Sequence, residues 1–269
     1  MKNHNETNAP KLSAISCALL VAKSMDQEIR HAGLVVIAKQ CKNSKQLIEV
    51  QNEVKEIVND FDRDLTNKTI VERWCQFGDF DSALELTKII GKPQLVTGAL
   101  CIIARAAADD GQFELAIETT DRIDEGNCPR KPYRFETLIY IAEQAVKVNQ
   151  FELTDKLISK FNSFLHHQQV ELLLVVAKAA YSSEDETKFV SYMQKAADLL
   201  STGKKNNVYL QKTAEAYLEV GMWKEALDII KQIETPYELV KALVRLQDLN
   251  SPAIAALLTD TFDKYKQEI

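Results

Sequence analysis

The chain has 269 residues, a formal net charge of −6 and a composition that is 46% hydrophobic and 27% charged, with only 8 glycines and 6 prolines. That length supplies a sizeable core, and so few breakers with little β-branched alternation argue for an all-helical protein. The acidic balance argues against a nucleic-acid reader, which needs a basic face, and no apolar run approaches the roughly 18 residues that span a bilayer.

In chain order, residues 1–10 ("MKNHNETNAP") are expected to be a disordered polar tail, and residues 11–269 a single helical domain. The segment "KLSAISCALLVAKS" has a lysine before a short apolar stretch, as a signal peptide does. Ser13 and Ser16 interrupt it and no clean small-x-small cleavage site follows, so Leu12 to Ser24 is predicted as a first, capping helix. The rest of the chain repeats one phrase. Gly78 to Ile90 is "GDFDSALELTKII", Gly111 to Ile123 is "GQFELAIETTDRI", Asn149 to Phe161 is "NQFELTDKLISKF" and Gly221 to Ile233 is "GMWKEALDIIKQI". Seven residues before each phrase, a small or apolar residue stands near the end of a hydrophobic stretch: Val71, Ala104, Ala142 and Ala214. The same rule adds Ala177 before Glu184 and Ala38 before Lys45.

The anchors Lys45, Gly78, Gly111, Asn149, Glu184 and Gly221 are separated by 33, 33, 38, 35 and 37 residues. A fixed period in this range predicts stacked helical hairpins. Helix A of a hairpin carries apolar residues at helical spacing, such as Leu100, Ile103, Ala104 and Ala107. The glycine, or asparagine, takes the left-handed conformation that stops it. Helix B starts at once, with acids Asp79, Asp81 or Glu114 at its positive end. Phe80, Phe113, Phe151 or Trp223 fills the turn, and Ala83, Ala116, Thr154 or Ala226 lets the two helices approach. Pro93, Pro132 and Pro236 precede the next helix A, where a missing N–H is harmless. About six hairpins result. The half-repeat "TPYELVKALVRLQDL" and a closing helix in "SPAIAALLTDTFDKYKQEI" follow.

A small residue, a seven-residue gap, Gly-x-aromatic-x-x-Ala and a proline before the next unit together resemble the tetratricopeptide repeat, over roughly Ile29 to Leu249. The repeat is degenerate. The family's Trp-Leu-Gly opening is absent, and the unit anchored at Glu184 has Glu186 in place of the aromatic. The resemblance implies a right-handed α-solenoid of stacked hairpins with terminal capping helices, whose helix A faces line a concave groove that holds a protein or peptide segment.

The residues that follow each small helix A residue are Lys39, Glu72, Arg105, Glu143, Lys178 and Glu215, alternating in sign. Two readings stay open. Long side chains of opposite sign can bridge neighbouring A helices about 8–10 Å apart, forming a structural ladder. Alternatively, the six form a charged peptide-binding groove, with Tyr140, Tyr181, Tyr209 and Tyr217 as further contacts. Some family members grip chaperone carboxy-termini through a clamp of lysines and asparagines. Here Arg105 and Lys147 stand amid Glu136, Glu143 and Glu171, so that ligand is not implied.

Little in the sequence points to catalysis. His4, His31, His166 and His167 lack the three- or four-residue spacing of paired metal ligands. The acids of "DFDRD", Asp109–Asp110 and "EDE" are expected as solvated turn caps. Phosphate-loop, nucleophile-elbow and paired-cysteine signatures are absent, and "STGKKNN" is expected as a loop. The five cysteines, Cys17, Cys41, Cys75, Cys101 and Cys128, lie mostly in apolar stretches, which fits a reduced, cytoplasmic setting. The expectation is therefore a non-catalytic interaction scaffold without cofactor or metal, a monomer or weak homodimer that binds protein rather than nucleic acid or membrane. The alternatives are a helical-repeat enzyme, or enzyme subunit, with a substrate cavity and, further off, an RNA-binding helical-repeat protein.

Overall fold

The structure is a computed structural model, and it describes residues 13–124, 126, 133–160, 166–202, 206–246, 254–259 and 261. Among them the regular structure is all-helical. In order the helices are α1 (Ala14–Ser24), α2 (Gln27–Gln40), α3 (Ser44–Val54), α4 (Asp60–Gln76), α5 (Phe80–Thr87), α6 (Pro93–Asp109) and α7 (Phe113–Asp121). They continue with α8 (Tyr133–Lys147), α9 (Phe151–Lys160), α10 (His166–Ser182), α11 (Glu186–Thr202), α12 (Asn207–Glu219), α13 (Trp223–Ile230) and α14 (Pro236–Val244). The chain divides into two compact units, Met1–Ile141 and Ala142–Ile269.

The expected capping helix is α1, whose Ser13 hydroxyl accepts the N–H of Ser16. The polar tail, Leu12, Cys128, Pro132 and most of the closing helix lie outside the described residues; residues 254–259 are helical.

Five of the six anchors stop a helix as the repeat requires. Gly78, Gly111, Asn149, Glu184 and Gly221 all have positive φ, between 61° and 78°. Each turn makes the same two backbone bonds. Gly78 N–H donates to Cys75 O and Asp79 N–H to Trp74 O; Gly111 donates to Ala108 O and Gln112 to Ala107 O. The pairs from Asn149 and Gln150, Glu184 and Asp185, and Gly221 and Met222 repeat the pattern. This is the Schellman closure, in which a left-handed residue lets the chain satisfy the last helical carbonyls. Lys45 is different: it lies inside α3, and α2 instead ends at Cys41 with extended backbone, with Asn43 capping α3.

Each closure also starts helix B. The carbonyls of Asp79, Gln112, Gln150 and Met222 accept the N–H groups of Ala83, Ala116, Thr154 and Ala226. All four of these small side chains are fully buried, as are Ala38, Val71, Ala104, Ala142, Ala177 and Ala214 on the A helices. The hairpin at Glu184 places Phe189 at that position, fully buried and edge-on to Tyr181 and Tyr217 at 5.5 and 6.3 Å between ring centroids. Glu186, where the other hairpins carry the turn aromatic, is exposed.

Within the first unit the A helices touch in succession, α2 to α4 and α4 to α6, while α5 and α7 pack on α4 and α6. Within the second, α10, α12 and α14 touch in succession and α11 and α13 pack on α10 and α12. Such neighbour-to-neighbour packing buries faces that no single hairpin buries alone. Two side chains fasten one hairpin to the loop before the next A helix. Buried Asp64 accepts the N–H groups of Gly91 and Lys92, both at 2.9 Å, and Asn207 accepts the N–H of Glu234 at 2.8 Å.

Candidate functional site

A residue one place beyond the buried helix A residue is turned about 100° out of the core, and the residue four further on shares its face. In α4 these are Glu72 and Gln76, and in α6 they are Arg105 and Asp109. Together with Asp110 at the end of α6 and Tyr140 on α8 they line an open cleft of about 620 Å³ in the first unit. Its apolar lining includes Cys75, Phe80, Ile102 and Ala106. Lys39 and Glu72 also share a smaller hollow of about 140 Å³ with Thr69, Arg73 and Gln76.

The cleft is held by its own contacts. Tyr140 donates its hydroxyl hydrogen to Asp109. The Arg105 guanidinium lies over the Tyr140 ring, 5.5 Å from its centroid, a favourable cation–π placement. Arg105 Nε is buried and has no hydrogen-bond partner among the described residues. Asp110 accepts from the Gln112 amide at 2.9 Å. Burial pushes the Cys75 thiol up to about 12, and the Glu72 charge adds to the effect. Cys75 therefore keeps its proton near neutrality and offers no thiolate to the cleft.

The six alternating charges do not behave alike. In the second unit they are used internally. Glu143 pairs with Lys147 at 2.8 Å along α8, Lys178 with Glu219 at 2.9 Å, and Glu215 with Arg245 at 3.5 Å. The last two bridge neighbouring A helices, but each reaches a residue outside the alternating set, so the contact runs diagonally. In the first unit, Lys39, Glu72 and Arg105 make no ion pair among the described residues and face the two hollows instead.

The tyrosines divide too. Tyr140 is half-buried in the cleft and Tyr181 is exposed, whereas Tyr217 is in the core. Tyr209 is half-buried and donates to Glu171 at 3.0 Å; burial, reinforced by that carboxylate, pushes its hydroxyl up to about 12. Gln76 is a cleft residue that the sequence pattern did not single out, and Asp109 and Asp110, expected as solvated turn caps, line the cleft as well. The signal was present, because Gln76 and Asp109 stand five places beyond Val71 and Ala104, one turn after Glu72 and Arg105. Of the histidines, His31 faces Asp62 at 3.7 Å and His167 lies beside Tyr209; His4 lies outside the described residues. No group of three or more histidine, cysteine or acidic residues suited to a metal occurs among the described residues. Among them, too, no helix is long and apolar enough to cross a membrane.

No protein-family model and no curated protein matches the chain. Among solved structures it is similar to Ton1535 from Thermococcus onnurineus NA1, with 14% identity over 93% of this chain and 88% of that one, at a TM-score of 0.26. A likeness at that level carries neither fold nor function across.

Proposed function

We propose that the chain is a non-catalytic interaction scaffold, built of about six tetratricopeptide-like hairpins of the right-handed α-solenoid class, that holds a segment of a partner protein against its helix A face. The observation that carries this reading is the contrast between the two sets of charges. In the second unit the outward helix A charges are consumed in intramolecular pairs. In the first unit Lys39, Glu72 and Arg105 make no ion pair among the described residues, and Glu72 and Arg105 line a cleft of about 620 Å³. That volume lies within the ordinary range of binding clefts, about 300–1,000 Å³. Stacked hairpins suit the task because they present a pre-ordered surface, so little ordering entropy is spent when a segment docks. The surplus of carboxylates in the cleft argues for a protein segment over a phosphate backbone. A cytoplasmic setting and a monomeric or weakly dimeric state belong to the same reading.

The test is a charge reversal in the cleft. A partner is captured with the full chain, its binding segment is synthesised, and the affinity is measured for wild type and for Glu72→Lys/Arg105→Glu. The proposal expects the segment to bind wild type and to lose most of its affinity for the variant, at an unchanged thermal midpoint. Equal binding to both proteins would contradict it.

A further inference from the structure

We infer that the cleft between α4, α6 and α8 is a recognition pocket for a lysine or arginine side chain of the partner segment; this rests on the scaffold reading above and names the chemistry of its ligand. Three carboxylates, Glu72, Asp109 and Asp110, line the pocket against the single guanidinium of Arg105. The guanidinium is already placed over the Tyr140 ring, and Tyr140 in turn orients Asp109 through its hydroxyl. The pocket thus presents fixed acceptors and an excess of negative charge, which selects a cation with N–H donors. Phe80, Ile102 and Ala106 supply apolar wall for the methylene stem that a lysine or arginine carries behind its charge.

A second feature points to a peptide rather than to a free polyamine. Arg105 Nε is a buried donor without a partner among the described residues, and an unpaired buried donor is unfavourable until an acceptor reaches it. A polyamine brings only further donors. A peptide residue brings a cationic side chain and backbone carbonyls together, so one residue type satisfies both the carboxylates and the orphaned N–H. The neighbouring hollow sets the polarity of the segment. It presents Lys39, which makes no ion pair among the described residues, and Arg73, whose guanidinium is held by the Cys41 carbonyl and Gln76. A second cation is disfavoured on that side.

The experiment is selection on the full chain from displayed 12-residue peptides with random flanks and one fixed central residue, in separate lysine, arginine, glutamate and leucine pools. The lysine and arginine pools enrich. Peptides isolated from them bind Asp109→Asn/Asp110→Asn about tenfold more weakly, the scale of about 1.4 kcal/mol, at an unchanged thermal midpoint. They also weaken on Arg105→Lys, which keeps the charge but removes Nε. Spermidine, used as the polyamine probe, binds wild type at least about tenfold more weakly than the selected peptides. Enrichment of the glutamate or leucine pool instead, with binding lost in Glu72→Lys/Arg105→Glu, overturns the inference and leaves the scaffold reading standing. Lysine or arginine peptides that bind the Asp109→Asn/Asp110→Asn variant as well as wild type also overturn it. Enrichment of no pool overturns both.

Discussion

Asp64, inside α4, holds the backbone N–H of Gly91 at the approach to α6. Its Oδ2 also accepts from Lys92, the residue that precedes the first turn of α6. In the second unit Asn207, at the same place relative to its buried alanine, holds Glu234 in the same way. The stacking of one hairpin on the next is therefore fixed by side chain-to-backbone bonds as well as by apolar burial.

Replacing Asp64 by alanine removes two part-buried bonds from a carboxylate to the N–H groups of Gly91 and Lys92. The expected loss is about 2–3 kcal/mol in urea unfolding, whereas Asn207→Ala, which removes one neutral bond, loses about 1 kcal/mol. Equal, negligible losses would show that these contacts do not fasten the hairpins.

Glu184 holds a left-handed backbone, φ 61°, that glycine adopts freely and glutamate does not. Glu184→Gly is expected to raise stability by about 0.5–1 kcal/mol, and Gly111→Ala to lower it by about 1 kcal/mol. Apart from its chain neighbours, no atom of the described residues lies within 4 Å of a Cβ added at Gly111, so the loss there would come from the backbone alone. Denaturant midpoints for the two variants, moving in opposite directions, are the check.

Phe189 is fully buried where the other hairpins carry alanine or threonine. Phe189→Ala should cost about 3–5 kcal/mol through the cavity it leaves. Ala83→Phe, the same exchange in reverse, should cost about 1–3 kcal/mol by overpacking α5 against α4. Losses below about 0.5 kcal/mol at either position would contradict the claim that the two hairpins reach the same closeness by different packing.

Cys75 and Tyr209 both have their acid groups pushed up to about 12 in the folded chain, from 9.0 and 10.0. In each case the folded state keeps a proton that the unfolded state has released. Stability is thus fully present below about pH 9 and falls as pH rises from there towards 12, by up to about 1.4 kcal/mol per pH unit for each group. Cys75→Ala should lessen the decline between pH 9 and 10, read from unfolding midpoints, and leave the share of Cys41 and Cys101, whose thiols burial also pushes up. A midpoint that does not fall between pH 9 and 12 would contradict these assignments.

Much of the architecture is legible in the chain because it depends on local rules. A left-handed stop, a capping acid and a small residue at the crossing are each set by a few neighbouring residues, and Gly78, Gly111 and Gly221 announce themselves. Asn149 is marked by a phrase that repeats the one at Gly111, and Glu184 is reached only by counting from Ala177. Counting failed at Lys45 because α2 ends without a left-handed residue, so the seven-residue gap has nothing to measure. The site was less legible. Glu72, Arg105 and Tyr140 were visible as outward positions, but Asp109 and Asp110 looked like ordinary turn acids, and only the lateral packing of α4 and α6 turns them into a cleft wall. Which charges would be consumed in pairs depends on diagonal reach, as between Lys178 and Glu219, and no spacing along the sequence encodes that.

The most direct test of the central claim is amide hydrogen exchange on the full chain, with and without a peptide selected for binding. The account predicts slowed exchange from Glu72 to Gln76, from Arg105 to Asp110 and around Tyr140, with α5 and α7 little changed. Slowing confined to α5 and α7, or to the second unit, would contradict it.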